Sequence, residues 1–138
     1  MKGRIALLLS CVLAACADGY PSGNEPGGLK TPQDRVEVLQ KLVRDAETQV
    51  RTLSLNSPCV LTVQWKDHGA IKYDVLRLDT VVDTDPTSRH FVVFLEHAGE
   101  AASPLFLSTP VWAEMTIART QVNQLRADCA EWRQPRQD

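Results

Sequence analysis

The middle of the chain, from residue 60 to residue 95, limits the fold most, because its residues favour extended strands. Val60–Trp65 is rich in β-branched and aromatic residues, Lys66–Gly69 offers turn chemistry, and apolar residues resume from Ile71 to Val82. Two extended runs joined by a short turn predict a β-hairpin. The apolar residues of the second arm change parity near Val75, which predicts a bulge or bend at that point.

A third extended run, Phe91–Leu95, is apolar at every position and follows a polar turn at 83–88. Apolar residues on both faces are typical of a central strand that is covered on each side. A short strand, Leu105–Leu107, is expected next. The surplus of apolar side chains has two interpretations: an unrecognised second layer covers them, or they form a surface for a partner. On the second interpretation, the candidate partner-binding residues are Phe91, Val92, Val93, Phe94 and Leu95.

Helical periodicity precedes the strands. Thr31 can cap a helix, and Pro32 suits the first helical position. Apolar residues then recur at spacings of three and four, which is typical of a helix with one buried face; they are Val36, Leu39, Val43, Ala46, Val50 and Leu53. We therefore expect one helix that ends before the breaker Asn56-Ser57-Pro58.

The last segment fits two patterns. A strand would explain the alternation of Val111, Ala113, Met115 and Ile117. A helix explains a longer stripe, with Thr109 as the cap and Pro110 at the first position; that stripe comprises Val111, Met115, Ala118, Val122, Leu125, Cys129 and Trp132. The greater length of the helical stripe favours the helix.

These patterns together predict an α+β domain over residues 31–134, in which an antiparallel sheet of about four strands packs against an N-terminal and a C-terminal helix. Residues 135–138 are expected to fray. The chain has 138 residues, 43% of them hydrophobic, which suffices for one domain with its own core. Its 15 basic and 17 acidic residues give a net charge of −2, which argues against a nucleic-acid partner.

The N-terminus has the pattern of an export signal. Lys2 and Arg4 precede an apolar run from Ile5 to Ala15, which is too short to span a bilayer permanently. The sequence Leu13-Ala14-Ala15-Cys16 resembles the lipobox of bacterial lipoproteins. This resemblance implies that residues 1–15 are a signal peptide and that Cys16 becomes the lipidated first residue. The alternative is an ordinary secretory signal in which the cysteine is incidental.

Residues 16–30 form the expected tether between the lipid and the domain, since they contain four of the seven glycines and two prolines. Loss of Lys2 and Arg4 with the signal would change the net charge from −2 to −4. With no polybasic patch, membrane attachment would rest on the acyl chains of Cys16. The residue after the cysteine is Ala17, which resembles the pattern that sorts enterobacterial lipoproteins to the outer membrane. This resemblance implies that the protein lies on the periplasmic side of that membrane.

The four cysteines fit this interpretation. Under the lipoprotein resemblance, Cys11 leaves with the signal peptide and Cys16 carries lipid, which leaves Cys59 and Cys129 in an oxidising periplasm. We expect these two to form one disulfide that joins the first strand to the last helix. They lack the Cys-x-x-Cys spacing of a redox-active pair.

Sequence motifs give no support for an enzyme. The chain contains no Gly-x-Ser-x-Gly elbow, no phosphate-binding glycine loop and no His-Glu-x-x-His helix. His90 and His97 flank an extended run and would lie too far apart to share a metal. Asp79, Asp83 and Asp85 lack the spacing of a calcium loop. We expect no catalytic residue, no metal and no cofactor.

Two functions fit these observations. The lipobox, tether and disulfide-stapled domain resemble the layout of small secretin pilotins, which implies a non-enzymatic binding, assembly or piloting factor for an envelope or secretion complex. That resemblance transfers no functional residue. The alternative is a periplasmic inhibitor or a binder of small hydrophobic ligands. An inhibitor would use polar loops, for which the candidates are Lys66–Gly69 and His97–Ser103.

Overall fold

A computed structural model describes residues 31–56 and 59–133. The predicted signal peptide, Cys16, the tether at 16–30 and the tail at 135–138 lie outside the described residues. In chain order the elements are α1 (Pro32–Arg44), β1 (Val50–Asn56), β2 (Val60–Trp65), β3 (Gly69–Asp74), a 3-10 turn (Val75–Arg77), β4 (Leu78–Thr84), β5 (Phe91–His97), β6 (Leu105–Thr109) and α2 (Trp112–Arg133). No helix in these two ranges is long and apolar enough to cross a membrane.

The strands form two antiparallel sheets of three, in the orders β1-β2-β3 and β4-β5-β6. The α+β class is confirmed, but the prediction of about four strands in one sheet is wrong. One reason is the 3-10 turn at Val75–Arg77, which divides the arm predicted from Ile71 to Val82 into strands of different sheets. The bend predicted from the change of parity near Val75 corresponds to this turn.

The second reason is β1, which the sequence assigned to the first helix. Helix α1 begins as predicted: Thr31 Oγ1 accepts from the Asp34 N–H at 3.2 Å, the Asp34 carboxylate accepts from the Thr31 N–H at 2.7 Å, and Pro32 occupies the first turn. It ends at Arg44, so its extension to Leu53 is wrong. Val50–Asn56 pairs instead with β2. Val50 and Leu53 are buried in this strand as they would have been in a helix, which is why the helical spacing continues through them.

The predicted hairpin is confirmed as β2 and β3, which pair from Val60 with Asp74 to Trp65 with Gly69. Gly69 has φ +72°, a backbone conformation that other residues rarely adopt, and it closes the three-residue turn. The alternation of β2 places Leu61, Val63 and Trp65 in the core.

The two sheets meet through residues 47–49, which lie between β2 and β6. The Gln49 N–H donates to the Leu105 carbonyl at 2.9 Å, while its carbonyl accepts from the Lys66 N–H at 2.8 Å. The Ser108 N–H donates to the Glu47 carbonyl at 2.8 Å. The buried Thr48 hydroxyl donates to the Phe106 carbonyl and accepts from the Val50 N–H. Backbone hydrogen bonds therefore connect the sheets into one body.

The C-terminal helix is confirmed as α2, although it begins at Trp112 rather than at Pro110. Thr109 ends β6, and its hydroxyl accepts from the Val111 N–H at 3.0 Å and donates to the Glu114 carboxylate. Pro110 thus belongs to the connection, because Thr109 retains its place beside Phe91 in the sheet. The buried stripe of α2 consists of Met115, Ala118, Val122, Leu125 and Cys129.

The predicted disulfide is confirmed between Cys59 and Cys129, whose Cα atoms are 5.6 Å apart. It attaches the start of β2 to the last turns of α2. Helix α2 packs on α1 and on the β4-β5-β6 sheet, while α1 packs on β1. Arg35 adds a polar link between the helices, with its Nε 3.0 Å from the Asp128 carboxylate.

Candidate functional site

The five predicted partner-binding residues lie on β5, the central strand of the β4-β5-β6 sheet. Strand alternation divides them between two faces. Val93 and Leu95 are fully buried, and Phe91 packs against the same core. Val92 and Phe94 belong to the opposite face and are half-buried. The structure therefore assigns three of the five to the core and leaves two on a surface.

Neighbouring strands extend that surface into an apolar patch, which consists of Val81, Val92, Phe94 and Leu105. Phe94 is paired with Val81 on β4 and with Leu105 on β6, so the three side chains form a row across the sheet. Val81 is 39% exposed, and the others are half-buried. Sequence reasoning missed Val81 and Leu105, because only the strand register places them beside Phe94.

The other sheet presents a different face to solvent. The side chains opposite its buried residues are mostly polar, with Val60 and Ala70 as exceptions. The row that corresponds to the apolar patch contains Ser54, Thr62 and Lys72. A solvated face of an antiparallel sheet normally carries such residues. The apolar patch departs from this pattern within the same molecule.

Carboxylates surround the apolar patch. Asp79 is paired with Glu96 at one end of the sheet, and Asp83 is paired with Val92 toward the other. Glu47 bridges to Ser108, which is the partner of Val92 on β6. These four exposed residues, Glu47, Asp79, Asp83 and Glu96, form an acidic rim. The Arg126 guanidinium contacts this rim, with its Nη1 3.6 Å from the Asp79 carboxylate.

An open depression of about 370 Å³ lies at the end of the sheet where Asp79 is paired with Glu96. It is lined by Leu76, Arg77, Asp79, Glu96, Ala98 and Arg126. Both arginines in it are engaged with the backbone. Arg77 Nη2 donates to the Ala98 carbonyl at 2.8 Å, and Arg126 Nη1 donates to the Leu78 carbonyl at 3.1 Å. The depression is polar, so it does not resemble an apolar ligand pocket.

The two loops considered for an inhibitor are each tied to the fold. Lys66 Nζ donates to the Thr48 carbonyl at 2.7 Å. Ser103 accepts from the Leu95 N–H at 2.8 Å through its hydroxyl and donates its own N–H to the Leu95 carbonyl at 2.9 Å. At the other end of that loop, His97 is buried with Nδ1 3.0 Å from the Glu100 carboxylate.

The titratable groups singled out in the sequence have structural partners. His90 Nδ1 lies 3.2 Å from the Ser108 hydroxyl. Asp85 accepts from the Thr87 N–H at 2.7 Å and from the Ser88 N–H at 3.1 Å, and these hydrogen bonds lower the pKa of its carboxyl. Across residues 31–56 and 59–133, no three His, Cys, Asp or Glu side chains converge to hold a metal.

Comparisons with protein-family models, with curated proteins and with solved structures find no significant match to this chain.

Proposed function

We propose that this protein is a lipid-anchored, non-enzymatic binding factor of the bacterial envelope, which holds a segment of another envelope protein against the apolar patch. One observation carries the binding role: the central row of the outward face of one sheet is apolar, while the corresponding row of the other sheet is polar. Apolar patches that border polar residues mark interaction sites on soluble domains.

The anchoring part of the proposal rests on the lipobox Leu13-Ala14-Ala15-Cys16 and on the glycine-rich tether that follows it. The Cys59–Cys129 disulfide supports an oxidising compartment, because such bonds are rare in the cytosol. Acyl chains on Cys16 would keep the domain at the outer membrane, on its periplasmic side. A partner bound to the patch would then be held or delivered there, which is an assembly or piloting role.

In-cell crosslinking tests the proposal, with the tagged protein captured from envelopes and its partners identified by mass spectrometry. Phe94→Gln removes the centre of the apolar patch. Thr62→Gln is its matched control, since Thr62 occupies the central strand of the other sheet on the polar face. Cys16→Ser removes the lipid attachment site and keeps the domain unchanged.

We expect an envelope component that Phe94→Gln loses and Thr62→Gln retains, and whose localisation fails in the Cys16→Ser strain. Equal capture by both glutamine variants would contradict the binding role of the patch. Capture of a soluble hydrolase through residues 66–69 or 97–103, unchanged in the Cys16→Ser strain, would instead favour the alternative function of an inhibitor.

A further inference from the structure

The edge and the charges of the same sheet limit the chemistry of the partner segment. Strand β4 is the free edge of the β4-β5-β6 sheet. Thr80 is paired with Leu95, whose backbone N–H and C=O both bond to Ser103 on the side away from β4. In an antiparallel ladder, the backbone groups of Thr80 therefore face the open edge.

The carboxylates of Asp79 and Asp83 block the pairing of an added strand with this edge. The Thr80 N–H donates to Asp79 Oδ1 at 2.8 Å, and the Thr84 N–H donates to Asp83 Oδ1 at 2.7 Å. An incoming strand would have to displace both carboxylates before it could pair with β4. Charged side chains at sheet edges are a common defence against such pairing. A partner must therefore use the face of the sheet.

The acidic rim further limits which partner can bind to the apolar patch. A second copy of this chain would bring two sets of Glu47, Asp79, Asp83 and Glu96 together, and like charges across an interface oppose association. Within residues 31–56 and 59–133, the rim has one guanidinium contact, from Arg126 to Asp79. The complementary partner therefore carries lysine or arginine around its apolar residues.

The dimensions of the face fit a helix. Strands about 4.8 Å apart place β4 and β6 about 10 Å from one another, which matches the diameter of an α-helix. A seven-residue strand extends about 23 Å, the length of a helix of about 15 residues. A helix on this face would also complete a third layer opposite α2, a common arrangement for a sheet.

We infer that the apolar patch binds a basic amphipathic helix of about four turns, with its apolar stripe on Phe94 and its lysine or arginine side chains on the acidic rim. This inference rests on the proposed function and specifies the class of segment that the patch accepts.

Three fluorescent synthetic peptides of about 18 residues test the inference by anisotropy with the folded, disulfide-bonded protein. The first has leucines at helical spacing and lysines elsewhere, the second replaces every lysine by glutamate, and the third alternates valine and threonine with lysines as an extended segment. We expect the lysine helix to bind at least about tenfold more tightly than either of the others.

Variants of the protein test whether the lysine helix binds at the apolar patch. Phe94→Gln and, independently, Val81→Gln should each weaken the lysine helix by about tenfold, and Thr62→Gln should not. Val81 is the more exposed of the two, so its replacement leaves the core intact if Phe94→Gln disturbs folding. The triple variant Asp79→Asn, Asp83→Asn, Glu96→Gln removes three of the four rim charges and should weaken the preference for lysine. The amide oxygens of its two asparagines can still accept from the Thr80 and Thr84 N–H groups.

Equal binding of the lysine and glutamate helices, stronger binding of the extended peptide, or no binding below about 1 mM would each overturn the helix inference. The proposed function would survive those results if Phe94→Gln still lost the cellular partner. Conversely, loss of peptide binding in Phe94→Gln with unchanged capture of the cellular partner would contradict the proposed function alone.

Discussion

Tyr73 shows how the environment of one residue decides a pH response. The residue is 4% exposed, and its ring meets the His97 ring edge-on, with centroids 6.1 Å apart. Burial raises the pKa of its hydroxyl, and the Glu100 carboxylate adds to that rise. The folded-state pKa therefore lies above the unfolded value near 10. The associated stability is fully present below pH 10 and is lost as the pH rises through the folded-state pKa.

We predict that Tyr73→Phe loses less stability than the wild type when the pH is raised from about 8 to about 11, because phenylalanine has no proton to release. Urea unfolding at both pH values measures this difference. Other lysine and tyrosine groups titrate alike in the two proteins and cancel in the comparison. An equal loss in both would mean that Tyr73 ionises in the folded state without penalty.

At the scale of elements, the start of α1 depends on local chemistry that a single residue can remove. Thr31 and Asp34 form a reciprocal capping box. We predict that Thr31→Ala lowers the free energy of unfolding by about 1 kcal/mol, because the Asp34 N–H loses its acceptor. Urea unfolding at neutral pH provides the measurement. Thr31→Ser keeps the hydroxyl and should retain the stability, and a loss as large as that of alanine would contradict the capping role.

Strand β1 shows where element prediction fails. The helical spacing of apolar residues runs through Val50 and Leu53, yet the chain leaves the helix at Arg44. Two spacings overlap here, since Leu53 and Leu55 also alternate. Pairing with β2 decides between them, and such non-local hydrogen bonds leave no trace in a local window. In α2, no alternating pattern of apolar residues continues beyond Ile117. Only the helical spacing explains the rest of that segment, so its helix was predictable.

At the scale of the whole molecule, Thr48 connects the two sheets. Its buried hydroxyl donates to the Phe106 carbonyl in β6 and accepts from the Val50 N–H at the start of β1. We predict that Thr48→Val lowers the free energy of unfolding by about 1–3 kcal/mol, because two buried backbone groups lose a partner. Thr48→Ser should cost less, since it keeps the hydroxyl.

Denaturant unfolding, followed both by tryptophan fluorescence and by far-ultraviolet circular dichroism, measures this effect and tests whether the sheets unfold together. Trp65 is fully buried in the β1-β2-β3 sheet, whereas Trp112 and Trp132 are exposed on α2, so the change in fluorescence on unfolding reports mainly on that sheet. The dichroism reports both sheets and both helices. Coincident transitions in the wild type are expected for one shared core. Separate transitions would show that residues 47–49 do not couple the sheets.

The disulfide acts on the whole chain as well. It closes a loop with a sequence separation of 70 residues, and loop-closure entropy assigns such a bond a stabilisation of about 4 kcal/mol. We predict that replacing Cys59 and Cys129 by alanine lowers the urea midpoint by a corresponding amount. Added reductant should destabilise the wild type and leave the variant unchanged. A wild type insensitive to complete reduction would contradict the prediction.

The sequence by itself determined the α+β class, the capped start of α1, the β2-β3 hairpin, the bend near Val75, the central strand β5 and the C-terminal helix, because each depends on local spacing or turn chemistry. The pairing of Cys59 with Cys129 was also expected, from cysteine count and compartment. The tertiary structure decided the division into two sheets and the place of β1. It also decided which side chains of Phe91–Leu95 are core and which join Val81 and Leu105 on the surface, because strand register depends on hydrogen bonds between segments distant in sequence.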